Sequence, residues 1–240
     1  MRYGVQTETA SAQDVQIRSG KVFLEGDLSI PTGAEGVVLF AHGSGSSRHS
    51  RRNQFVARTI REAGVGTLLF DLLTREEEAV DAHTRHLRFD IALLAQRLID
   101  ATYWLKGDLG HLNIGFFGSS TGGGAALVAA AELRESVGAV VSRGGRPDLA
   151  GKEALSEVIS PTLLIVGEFD YPVIDMNQEA LTHMRCEKKL QIVPGATHLF
   201  EEPGTLEEVA RLAGKWFQTY LHSDATESTT PPIVPTNVLI

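Results

Sequence analysis

Gly118-Ser119-Ser120-Thr121-Gly122 sets a hydroxyl between two glycines in the G-x-S-x-G spacing of a strand-to-helix elbow. Such a turn brings the residues two before and two after the serine almost into contact, leaving no room for side chains there. The bare pattern is weak. An apolar run, Asn113 to Phe117, precedes it and an Ala-rich stretch follows, which is the context the elbow requires. A serine so placed attacks a carbonyl once a base removes its proton. Thr121, at the helix start, offers its backbone N–H and the helix dipole to the developing oxyanion. A second donor belongs on the loop after an earlier strand, and His42-Gly43-Ser44-Gly45 follows Val37 to Ala41 at that place. The Ser44 N–H is the expected donor, and His42 is expected to brace the loop rather than react. Such small residues also suit phosphate binding, although the loop lacks the lysine of a P-loop.

On folds of this kind the triad runs nucleophile, acid, histidine along the chain. His183 falls in an expected helix and His222 at the end of the last one. His198 instead follows the run Leu190 to Val193 through Pro194-Gly195-Ala196-Thr197, a turn able to carry an imidazole over the strand ends. Asp170 follows Thr162 to Val166 through Gly167-Glu168-Phe169, with Glu168 and Asp175 as rivals for the acid. Ser120, Asp170 and His198 are therefore the candidate catalytic set.

Arg143 and Arg146 come just after another apolar run, where either could grip an anionic substrate group or pair with a local acid such as Asp148. His83 and His86 have helical spacing but no convincing acidic or cysteine partner, so no metal site is expected. The lone Cys186 excludes an internal disulfide and reads as buried filler in a reducing compartment. A formal charge of −8 argues against nucleic acid as a partner. The one dense basic cluster, Arg48, His49, Arg51 and Arg52, reads as a solvated loop.

The elements that must position these groups are legible in outline. Val15 to Ile17 and Lys21 to Ile30 alternate as an antiparallel hairpin around Ser19-Gly20. Gly36 to Ala41, Thr67 to Phe70, Asn113 to Phe117, Ala139 to Ser142, Thr162 to Val166 and Leu190 to Val193 read as strands buried on both faces. Between them Leu87, Ile91, Leu94, Leu98 and Leu105 share a helical face, as do Phe55, Val56, Thr59 and Ile60 before Gly64, a C-terminal cap. The last helix is expected to open on a Thr205 and Glu208 capping box and to bury Val209, Leu212, Trp216 and Phe217. This alternation predicts an α/β fold: a mostly parallel sheet, helices on both faces, chemistry at the carboxyl ends of the strands. One domain over residues 1–222 is expected, with 223–240 a flexible tail. No apolar stretch is long enough to span a bilayer and no secretory signal opens the chain, so a soluble cytoplasmic protein is expected.

With Ser120, Asp170, His198 and the His42-Gly43-Ser44-Gly45 loop in place, the chain from about Val15 to Leu221 resembles the dienelactone hydrolase family of α/β-hydrolases. The segment His86 to Ile91 and the string Arg143-Gly144-Gly145-Arg146-Pro147-Asp148-Leu149 carry the likeness as well. The resemblance implies an α/β-hydrolase fold and hydrolysis of carboxylic esters or lactones, without a metal or organic cofactor. One departure stands out: dienelactone hydrolases use a cysteine nucleophile, and this chain has Ser120 there. Only about fifteen residues lie between Gly145 and Ser160, where related lipases insert a lid, so no large lid and a small soluble ester or lactone substrate are expected. A non-enzymatic ligand-binding protein, and an acyltransferase using the same triad, are the alternatives.

Overall fold

A computed structural model describes residues 12–222. The first expectation, an edge hairpin, takes the form of β1 (Gln13–Ser19) paired antiparallel with β2 (Val22–Ser29). Six further strands follow: β3 (Gly36–Ala41), β4 (Gly66–Phe70), β5 (Asn113–Ser119), β6 (Ala139–Arg143), β7 (Thr162–Gly167) and β8 (Lys188–Val193). They join the hairpin in one sheet of order β1-β2-β4-β3-β5-β6-β7-β8, parallel from β4 to β8. The order reverses at β3, so the crevice at the carboxyl ends of β3 and β5 is where such a sheet admits a ligand.

Alternation along β3 explains the two cores. Val37 and Leu39 point to one face and Val38 and Phe40 to the other, all fully or almost fully buried. On the Phe40 face lie α1 (Arg51–Glu62) and α7 (Thr205–Leu221), packed on Leu69, Phe117, Val141 and Ile165. The opposite face receives α3 (Ile91–Leu109) and α4 (Thr121–Leu133). Phe40 and Phe117 stack with ring centres 4.8 Å apart. Truncating such a fully buried ring costs about 3–5 kcal/mol, so this pair anchors the strands that end at the cleft. The remaining helices are α2 (Arg75–Thr84), α5 (Gly151–Glu157) and α6 (Tyr171–His183). Between β6 and β7 only a short 3-10 turn and α5 intervene, so no large lid is inserted between these strands.

Three expectations are corrected. β8 is not buried on both faces: it closes the sheet's edge, and Lys188 and Lys189 stand exposed on it. Thr205 does not cap α7. Gly204 is the N-cap, at φ 83°, and the Thr205 hydroxyl donates to the Glu202 carbonyl. The capping box sits instead on α2, where Thr74 and Glu77 exchange bonds, a helix that apolar periodicity does not reveal. Finally, Arg48 is no solvated loop residue, because Glu25, Asp27 and Asp71 enclose its guanidinium. The expected tail, residues 223–240, lies outside the described residues. Among the described residues, no helix is long and apolar enough to cross a membrane.

Candidate active site

Ser120 sits between β5 and α4 at φ 51°, ψ −121°, a conformation that L-residues rarely hold. A Cβ on Gly118 would run into the Gly122 and Gly123 backbone, and one on Gly122 into the Ala41 and His42 carbonyls. Those two glycines are what let the turn close. The next loop binds the turn from the side: Ser120 N–H donates to the Arg143 carbonyl at 3.2 Å, and Arg146 N–H to the Ser120 carbonyl at 3.0 Å.

His198 and Asp170 meet. His198 Nδ1 lies 2.6 Å from Asp170 Oδ2, and Asp170 begins α6 at the end of the β7 loop. An ionised carboxylate only accepts, so Nδ1 carries the proton and a neutral imidazole keeps its lone pair on Nε2. The ring lies over Gly144: a Cβ there would be 3.4 Å from His198 Cε1 and 3.5 Å from Nδ1. Gly144 follows Arg143, whose carbonyl holds the Ser120 amide, so the imidazole stands beside the elbow. The Ser120 hydroxyl makes no hydrogen bond with another described residue. Of the rival acids, Glu168 accepts a hydrogen bond from Gly195 N–H at 2.7 Å and so ties the two loops together. Asp175 lies within α6.

The β3–α1 loop comes up on the other side, where a Cβ on Gly43 would be 3.1 Å from Ser120 Cβ. Ser44 is exposed, and its N–H meets no backbone acceptor among the described residues. As the first residue of α4, Thr121 has no intrahelical acceptor for its N–H. Both amides are thus available beside Ser120. His42 spans two loops: its Nδ1–H donates to the Gly43 carbonyl at 3.0 Å, and its Nε2 accepts from Leu72 N–H at 3.1 Å. Burial pushes its pKa below the ordinary histidine value, so it is neutral and structural. Arg48 adds a second tie, since its N–H donates to Asp71 Oδ1 at 2.8 Å and its guanidinium also bonds Asp71. Burial opposes the Arg48 charge, but Asp71, Glu25 and Asp27 outweigh it and raise its pKa.

A cavity of about 620 Å³ opens beside Ser44 and Thr121, its far wall formed by Leu73, Glu78 and Asp81. Burial and the neighbouring Asp71 raise the Glu78 pKa. Asp81, in contrast, holds Arg88 and the Leu87 and Arg88 amides. Of the two arginines expected near substrate, Arg146 is taken by Asp148 through two bonds of 2.8 and 2.7 Å. Arg143 stays buried beside the cleft without a carboxylate partner. Cys186 lies away from the elbow, half-buried against Thr162, and burial pushes its thiol pKa up. Among the described residues, no group of three or more His, Cys, Asp or Glu side chains is placed to hold a metal ion.

Sequence reasoning missed three participants. Gly144 could have been found by its place at the end of an apolar run. The Arg48–Asp71 tie joins segments far apart in the chain and leaves no local signal, and α2 announces itself locally only by its Thr74–Glu77 capping box.

Residues 24–222 match the dienelactone hydrolase family. A crystal structure of a dienelactone hydrolase from Anabaena variabilis superposes with a TM-score of 0.87 at 60% identity, over 89% of this chain and 100% of that one. Two strains of Mycobacterium tuberculosis carry proteins provisionally named phosphoribosyl transferases, 56% identical over 211 residues. That match covers 87% of this chain but 46% of theirs, so the chain spans about half the length of these curated relatives. Est1E from Butyrivibrio proteoclasticus shares the fold at a TM-score of 0.72 and 17% identity, over 86% of this chain and 98% of that one.

Proposed function

The chain belongs to the dienelactone hydrolase family, and from that premise we propose that it is a serine hydrolase cleaving small carboxylic esters or lactones through an acyl-enzyme. In this reading His198 Nε2 takes the Ser120 proton as the hydroxyl oxygen attacks the carbonyl carbon. The Ser44 and Thr121 amides hold the oxyanion, and Asp170 stabilises the imidazolium. The imidazolium then returns its proton to the leaving alkoxide as the C–O bond breaks. Water, deprotonated by the same imidazole, next attacks the acyl-enzyme and frees the acid and the serine.

The observation that carries this reading is the 2.6 Å His198–Asp170 pair, resting on Gly144 beside an elbow whose serine is held at positive φ. The thiol that the family's cysteine enzymes employ has no counterpart at the elbow. Cys186, with a raised pKa and a half-buried position, offers no substitute.

A fluorophosphonate probe followed by peptide mass spectrometry is expected to label Ser120, and Ser120→Ala to lower kcat about 10⁴- to 10⁶-fold. Labelling elsewhere, together with full activity in Ser120→Ala, would discard the assignment. In a second reading an alcohol or amine replaces water at the same acyl-enzyme. Product analysis with added nucleophiles separates the two.

A further inference from the structure

The sheet order divides the cleft. Ser120 leaves β5; His198 follows β8 and rests on Gly144, just after β6, whereas the cavity is built mainly from the segments that follow β3 and β4. Base and cavity therefore lie on opposite sides of the serine. In the cleavage described above the leaving oxygen must meet His198 Nε2, so the alcohol half of an ester departs on the β6 side. The acyl half is left on the side of Gly43, which lines the cavity and whose absent Cβ would stand 3.1 Å from Ser120 Cβ.

Small-molecule sites are mostly lined by apolar side chains, and this cavity is not. Its hydrocarbon is limited to Leu72, Leu73 and Leu94, while Ser44, Ser46, Ser47 and Ser50 all line it. The Ser46 hydroxyl makes no hydrogen bond with a described residue and is not enclosed. Those of Ser47 and Ser50 accept from the His49 and Asn53 N–H groups at 3.3 and 3.4 Å, and each keeps its own proton to donate. On the far wall Glu78 is exposed, and its carboxylate has no hydrogen bond or ion pair with a described residue. Charge selects neither sign of ligand: Arg88 is paired with Asp81 and Arg52 with Glu201, and the unpaired Arg51 and Glu78 cancel. We propose that the cavity receives a polyhydroxylated acyl group, so that the substrate is an ester or lactone of a sugar acid. The proposal rests on the hydrolase reading above and names its substrate class. Serine hydroxyls donate to the chain hydroxyls of such a group, Glu78 accepts from them, and the leucines cover its C–H faces. The acyl C–O bond breaks, and water supplies the acid's oxygen and the alcohol's proton; a lactone yields one open-chain hydroxy acid. The volume of about 620 Å³ suits a small molecule of this kind.

The test compares methyl gluconate with methyl hexanoate, which share chain length and leaving group and differ in the acyl hydroxyls. Wild type is expected to favour the gluconate ester about 10- to 100-fold in kcat/KM, the range for hydrogen bonds to a charged group. In Glu78→Ala this preference should fall to about threefold or less, carried by KM, and Ser46→Ala should lower it about two- to tenfold. A wild-type ratio in both variants overturns the inference. Equal cleavage of the two esters by wild type overturns it as well, although the hydrolase reading stands. Sorbitol monoacetate against hexyl acetate probes the alcohol side. A preference for the polyol there, with none in the acyl pair, overturns the acyl assignment. Gluconamide binding, measured by NMR titration on Ser120→Ala and on Ser120→Ala with Glu78→Ala, reads the cavity without turnover, with hexanamide as the control. Binding about tenfold or more weaker in the double variant supports the proposal even if no ester is cleaved; equal or absent binding overturns it.

Discussion

Two helices border the same cavity and are held there by opposite means. α4 buries ten of its thirteen residues and has no acidic residue in its first turn and no basic one in its last, so packing fixes it. α2 buries a single residue of ten, the carboxylate Asp81, and stays in place through the Asp81–Arg88 and Glu77–Arg97 pairs and its capping box. The wall that presents Ser120 therefore cannot shift without disturbing the core. The facing wall, which shapes access to the cavity, is set by charge and can adapt to its contents.

If chemistry belongs to the rigid side alone, Asp170→Asn should lower kcat about 10³- to 10⁴-fold while amide exchange in both helices stays the same. Faster exchange in α2 would mean that the two sides are coupled. Gly122→Ala drives a methyl into the Ala41 and His42 carbonyls, and a loss of about 3 kcal/mol or more in urea unfolding is expected. An unchanged midpoint would show that the rigid side is softer than its packing implies. Asp81→Asn leaves the core alone and removes the tie to Arg88, so α2 amides should exchange about tenfold faster with α4 unaffected. Raising salt from 0.1 to 1 M should act in the same direction, more weakly.

The smallest effect concerns pH. His42 is held neutral with a pKa below its ordinary 6.5, so the unfolded chain binds its proton first. Its contribution to stability is complete above about 6.5 and is lost as pH falls through the lower folded value. Thermal unfolding from pH 7.5 to 5.5 should show this acid loss, and His42→Gln should flatten the curve; an identical slope would remove His42 from the explanation.

This contrast also explains what sequence could tell. The elbow, the strands and the placing of Asp170 and His198 after β7 and β8 follow from apolar runs, glycines and spacing, which are local. α2 was hidden because charge rather than an apolar face holds it, and its partners Arg88 and Arg97 belong to later segments. The caged Arg48 looked like a solvated residue because Glu25, Asp27 and Asp71 reach it only after the sheet forms. Thr205 had the spacing of a cap, but Gly204 before it turns at positive φ and takes the N-cap position.

The backbone at Ser120 has an evolutionary corollary. A residue kept at φ 51° and ψ −121° sits where glycine alone is at ease, at a cost of about 1–3 kcal/mol. If the proposed turnover were no longer selected, drift to glycine at this position would relieve the strain and remove the hydroxyl at once, so stability and catalysis pull in opposite directions there.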